Sequence, residues 1–198
     1  MRLEEIVIPD STACRSALEV ATAYCSADLL NHSVRAYLWA AVYADLNDIA
    51  FDPELLYVSA MLHDLGLTAP FDSHTLPFED AGGHLGWAFA AGAGWPAARR
   101  DRVAEVIVRH MWAEVPVGTD PEGFLLELST GMDISGKNVE SLPAGIRAEV
   151  LARHPRGALP AEFLACFKDQ AARKPESRAG HMVRSGFADR VTTNPLDA

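Results

Sequence analysis

The chain has 198 residues, 49% of them hydrophobic, which suits a single globular domain spanning 1-198 with a proper core. Lys and Arg total 17 against 27 Asp and Glu, a formal net charge of -10, and no stretch clusters enough basic residues to track a phosphate backbone, so nucleic acid is excluded as an expected partner. Cys14, Cys25 and Cys166 form no CxxC pair, no apolar window approaches a membrane span and no secretory leader pattern opens the chain, which together predict a cytoplasmic protein without disulfides or membrane association.

Residues 1-10 include Ile6, Val7 and Ile8 before Pro9, the pattern of a short strand or an arm lying across the domain. Residues 11-48 contain neither Gly nor Pro and read as Ala-rich helix, divided near Ser26, where a cap residue starts a second helix. His32 lies in that second helix with Leu29, Ala36 and Trp39 at helical spacing, so it faces inward. Arg35, beside it, either meets a buried carboxylate or anionic group or makes a surface salt bridge. Asp52 and Pro53 open the next helix, whose run 55-62 is mostly apolar on all sides and therefore buried. It leads directly into His63 and Asp64, with Gly66 as a stop. A buried Asp64 without a partner costs several kcal/mol, so a metal ion or a hydrogen-bond network with His63 must take up its charge.

Residues 67-77 are broken by Pro70, Asp72, Ser73 and Pro77 and form a loop, with Phe71 and Phe78 beside it, that is placed to cover a pocket; its His74 faces solvent. Glu79 and Asp80 open another helix, where the dipole accounts for both acids and a role for Glu79 as a base stands as the alternative. Gly82, Gly83 and Gly86 weaken that helix by roughly 1 kcal/mol each relative to alanine, so they require the close approach of a neighbouring helix or a ligand. His84 sits among them. Pro96 begins a helix whose stripe is Val103, Val106 and Ile107, with His110 on the same core face. Asp120 and Pro121 start another, in which Leu125, Leu128 and Met132 point one way just before Asp133, a second inward carboxylate. Packing helices are expected over 142-153 and 160-174, the latter with a Phe163, Cys166, Phe167, Gln170 face, and 176-198 reads as a loosely packed tail.

The inward polar residues are then His32, His63, Asp64, His84, His110 and Asp133, and a helical bundle can bring such residues to one central point. Their order resembles the H…HD…D pattern of the HD-domain superfamily of metal-dependent hydrolases. That resemblance implies an all-α helical bundle around a central metal site with His32, His63, Asp64 and Asp133 as ligands. Within the superfamily the sequence resembles the cyanamide hydratase group, on His32 to Arg35, His63 to Gly66, Phe78 and Glu79 followed by Gly82 or Gly83, Asp133 to Gly136, the His154 to Arg156 turn and the Phe163 to Pro175 helix. This implies a hydro-lyase adding water across a carbon–nitrogen triple bond to give a urea or amide. The segment Ala81 to His84 departs from the Gly, Ala pattern of that group, which bears on the substrate more than on the metal.

A divalent ion with an open position lowers the pKa of bound water from about 15.7 towards 7, which supplies a nucleophile at neutral pH. Zn is the favoured ion, with Fe or Mn as alternatives, because imidazole ligands do not discriminate among them. Asp64, His84, His110 and Glu79 are the candidate catalytic residues, the two imidazoles as donors to a developing negative nitrogen. Arg35, Phe71, Phe78, Trp87 and Lys137 are candidate substrate contacts, with Trp112 as a further wall. His84 and His110 could instead hold a second ion, as in binuclear HD phosphodiesterases and di-iron oxygenases. Phosphoester hydrolysis wants fixed positive charge near the metal, and only Arg35, Arg109 and Lys137 are placed to supply it, which favours a small neutral substrate. An HD phosphohydrolase, a di-iron oxygenase and a non-catalytic HD binding module stand as alternatives. Exposed apolar helix faces suit a homodimer.

Overall fold

Capped helix starts divide the chain. The computed structural model describes residues 3-197, and among these every regular element is helical: α1 Thr12–Tyr24, α2 Ala27–Leu46, α3 Pro53–Leu62, α4 Phe78–Gly92, α5 Ala97–Arg109, α6 Pro121–Ser135, α7 Ala144–Arg153, α8 Leu159–Arg173, α9 Arg178–Arg184 and α10 Phe187–Thr192. The side chains of Ser11, Ser26, Asp52 and Asp120 accept hydrogen bonds from backbone N–H groups three residues on, which is why α1, α2, α3 and α6 begin where they do. The N-terminal segment is an arm and not a strand; Tyr37 donates its hydroxyl hydrogen to the Val7 carbonyl at 2.7 Å. No helix among the described residues is long and apolar enough to cross a membrane.

α3 lies at the centre, with every residue from Leu55 to Leu62 buried, packed against α1, α2 and α5. α2 runs beside it and also packs on α6. This placement turns the apolar run of α3 into a rigid stem for the two residues that follow it. α3 ends at Leu62, but Gly66 does not stop it. A short 3-10 turn, Leu65–Leu67, intervenes, and a Cβ at Gly66 would run into the Phe78 carbonyl. α4 and α5 approach closely because Gly82, Gly83 and Gly86 all face α5, where a Cβ would meet Ile107, Val108 or Val103. The glycines therefore answer to a neighbouring helix.

Residues 68-77 form a loop, and it is tied down without lining the cavity that reaches His63 and Asp64. Asp72 accepts from Gln170 and pairs with Arg173 and Lys174 of the α8 end, while Phe71 stacks edge-on against Tyr24 at 4.7 Å between centroids. The expected loose tail is instead folded. Phe187, Val191 and Ala179 join a second apolar cluster with Phe163 and Phe167 of α8, and Asn194 donates to the Asp133 backbone carbonyl at 2.8 Å. Helices of seven and six residues carry too few turns to show an apolar stripe, and the Gly and Ser that suggested a loop are their N-caps, Gly186 at φ 74° and Ser177.

Candidate metal centre

α2 delivers His32, and the end of α3 delivers His63 and then Asp64; all three are buried. The two Nε2 atoms lie 3.2 Å apart, and Asp64 Oδ2 is 3.3 Å from that of His32 and 3.1 Å from that of His63. Hydrogen bonds on the far nitrogens set both tautomers. His32 Nδ1 faces Asp133 Oδ2 at 2.6 Å, and His63 Nδ1 faces the Ala60 carbonyl at 2.7 Å. An acceptor at each Nδ1 keeps the proton there and leaves each neutral Nε2 with a lone pair. Two lone pairs and a carboxylate then converge with no hydrogen to share, and neither oxygen of Asp64 has a hydrogen-bond partner among the described residues. Such a carboxylate carries a desolvation penalty of several kcal/mol unless a cation offsets it. Two imidazole nitrogens and one carboxylate oxygen fit a divalent ion of the zinc, iron or manganese kind.

The electrostatics agree. Burial pushes the Asp64 carboxyl up, but the neighbouring His63 and His32 outweigh it and hold the group well below the usual carboxylate range. Burial opposes charge on His32, yet the neighbouring carboxylates of Asp133 and Asp64 prevail and raise its pKa.

A cavity of about 240 Å³ reaches these three residues. His110, at the end of α5, faces Asp64 with Nε2 3.8 Å from Oδ1, while its Nδ1 bonds the Ile107 carbonyl. Burial, followed by the proximity of the His63 ring, pushes His110 down to about 3, so it is neutral at physiological pH.

The family model of the HD domain matches residues 29-115, a span that starts in α2 and takes in His32, His63, Asp64 and His110. Residues 29-115 are thus similar to the HD-domain family. Over a longer stretch it is similar to two Saccharomyces cerevisiae proteins, cyanamide hydratase DDI2 and cyanamide hydratase DDI3, each 28% identical over 196 residues that take in 94% of this chain and 84% of the relative.

Asp133 lies beyond the HD-domain match and takes a different place from the one expected of a ligand. Its Oδ1 accepts from Arg35 Nε at 2.8 Å and Trp39 Nε1 at 3.1 Å, and its Oδ2 accepts from Arg35 Nη2 at 2.8 Å while facing His32 Nδ1. The two-point grip of the Arg35 guanidinium holds the carboxylate behind His32, outside the cluster that His32, His63 and Asp64 form. Asp133 thereby orients the His32 ring. Arg35, expected as a substrate contact, is fully buried, donates also to the His154 and Pro155 carbonyls, and does not line the cavity. Nothing local in the sequence could show this, because the two partners are 98 positions apart.

The fold also leaves several expected site residues elsewhere. His84 is exposed on the outer side of α4, since the three glycines take the inner face, so it neither joins His110 as a second metal pair nor serves catalysis at this cavity. Trp87 lies on that outer side too, bonded to Asp101 at 2.8 Å. Phe71 is spent on Tyr24, and Phe78 packs beneath the His110 ring, 5.7 Å between centroids, without lining the cavity. Glu79 is buried with Oε2 unpartnered among the described residues, and burial pushes its carboxyl up to about 7, but it does not reach the cavity either. Lys137 and Trp112 do line it, Lys137 pairing with Glu127 at 2.9 Å. Sequence reasoning missed the contributions of α9 and α10, which are Arg178, Met182, Phe187 and Arg190.

Proposed function

We propose that the chain is a metal-dependent hydratase, a hydro-lyase that adds water across the carbon–nitrogen triple bond of a small nitrile-type molecule, cyanamide to urea being the simplest case. The observation that carries this reading is that similarity to two proteins named cyanamide hydratase spans nearly the whole chain, whose folded form has a His–His–Asp donor cluster opening on a small, largely apolar cavity. Zinc is the favoured ion. When bound, the ion supplies Lewis acidity at its open coordination position.

The remaining work falls to the chain itself. His32, His63 and Asp64 hold the ion, and Asp133, gripped by Arg35, keeps His32 in the tautomer that presents its Nε2 lone pair. His110 is neutral with its own Nε2 lone pair exposed to the cavity, so it accepts a hydrogen bond from water and turns the water oxygen toward the nitrile carbon. Hydration forms one carbon–oxygen bond and moves one water proton to nitrogen; the resulting imidic acid tautomerises to the amide. Phe163, Phe167 and Phe187 supply apolar wall that limits bulk water near the reacting carbon.

The test is urea release from cyanamide by protein loaded in turn with zinc, iron and manganese, beside phosphate release from nucleoside monophosphates. Urea formation is expected. Activity on the nucleotides alone would end the hydratase reading and leave phosphoester hydrolysis, a second reading favoured by the guanidinium groups of Arg178 and Arg190 in the cavity wall.

A further inference from the structure

The cavity is larger and more charged than cyanamide requires. At about 30 Å³ per water-sized group, 240 Å³ holds on the order of eight such groups, whereas cyanamide has only three heavy atoms. Much of the wall is aromatic: the Phe163 and Phe167 rings stack at 4.7 Å, and those of Phe167 and Phe187 at 4.6 Å, with Met182 beside them. Such a surface suits a planar or branched apolar body.

The charges point further. In a chain of net charge -10, the arginines Arg15, Arg99, Arg102, Arg153 and Arg173 all sit against carboxylates. Among the described residues, Arg178 and Arg190 have no carboxylate partner, although both line the cavity and both are exposed. Arg178 Nε donates to the Met111 carbonyl at 2.9 Å, which anchors its guanidinium next to the segment that follows His110. Arg190 Nη1 donates to the Ser185 carbonyl at 2.6 Å. Lys137 differs from them, because Glu127 neutralises it within the same wall. Backbone bonds thus hold two guanidinium groups in position without a salt bridge, the condition in which a guanidinium takes up an anion through paired N–H donors.

Resting on the hydratase reading, we propose that this cavity is built for a nitrile with an apolar body and an anionic group, the nitrile lying at the His32, His63 and Asp64 end and the anion held by Arg178 and Arg190. A carboxylate and a phosphate share the recognising chemistry, and the probes separate them.

The experiment compares benzonitrile, 4-cyanobenzoate and 4-cyanophenyl phosphate as substrates of the metal-loaded full chain, with cyanamide alongside, following amide and free phosphate separately. The expected kcat/KM for an anionic nitrile exceeds that of benzonitrile by about tenfold or more, mainly through KM. Arg178→Gln and Arg190→Gln each bring that preference down towards unity, and Arg190→Glu shifts it to the cationic 4-(aminomethyl)benzonitrile. Calorimetry gives a readout independent of turnover: the product amide 4-carbamoylbenzoate binds about tenfold more weakly to Arg190→Gln. Equal handling of benzonitrile and its anionic partners would overturn the proposal, as would a preference that survives in both Gln variants. Urea from cyanamide with no hydration of any aryl nitrile would overturn it while leaving the hydratase reading in place. Failure of every nitrile, cyanamide included, would remove that reading and this proposal with it.

Discussion

Replacing Asp133 by Asn tests whether the group behind His32 governs both stability and metal binding. The carboxylate serves Arg35 Nε, Arg35 Nη2, Trp39 Nε1 and His32 Nδ1 at once. An amide offers one acceptor oxygen, so its NH2 must face either the guanidinium or the imidazole. In the first arrangement the fully buried Arg35 loses its counter-charge and meets a donor, and breaking a buried pair in this way costs about 3–5 kcal/mol. In the second, the ring switches tautomer and carries its proton on Nε2, aimed at the donor cluster. Loss of an orienting partner typically lowers metal affinity by about 10–100-fold. Urea denaturation of Asp133→Asn reads the first quantity, and zinc competition against a chromogenic chelator reads the second. A variant within about 1 kcal/mol of wild type in stability, and within about threefold in zinc affinity, would refute the reasoning.

Two other perturbations have signed outcomes. The Glu79 carboxyl titrates near 7 in the fold against 4.5 for an ordinary Glu, so it holds a proton that the unfolded chain has released. Stability from this group is therefore full below about 4.5, falls as pH rises to about 7 and is level beyond, by about 3 kcal/mol in all. Glu79→Gln removes that slope and is the more stable protein at pH 8; parallel denaturation profiles from pH 5 to 8 would contradict this. Phe187→Ala deletes a buried ring stacked on Phe167 and costs about 3–5 kcal/mol in denaturant unfolding, whereas a loss below about 1 kcal/mol would show the C-terminal helices to be dispensable.

Much of the fold was legible because the chain announces its helix starts. Ser11, Ser26, Asp52 with Pro53 and Asp120 with Pro121 are caps whose chemistry is local. The mostly apolar α3 leading into His63 and Asp64 was legible for the same reason: burial on every side over Leu55 to Leu62 shows in its composition. What depended on distant partners was not. Arg35 looked free to face solvent until α6 brought Asp133 to it, and Asp133 looked like a ligand because its competitor for the carboxylate lay on another helix. His84 carries a usable signal in its neighbours. Glycines at 82, 83 and 86 mark one helical face as the contact face, and a residue at 84 points away from it. The short helices α9 and α10 gave no periodic signal, and with them went the two arginines that change the charge of the cavity.

The most direct measurement is the zinc content of the full chain after loading and gel filtration, by mass spectrometry, for wild type, Asp64→Ala and His84→Ala, each checked for helix content by circular dichroism. With His32, His63 and Asp64 as the donor set, wild type and His84→Ala retain about one equivalent and Asp64→Ala retains less than about a tenth. A folded Asp64→Ala that keeps its full equivalent would contradict the account, and so would a wild type that binds no zinc.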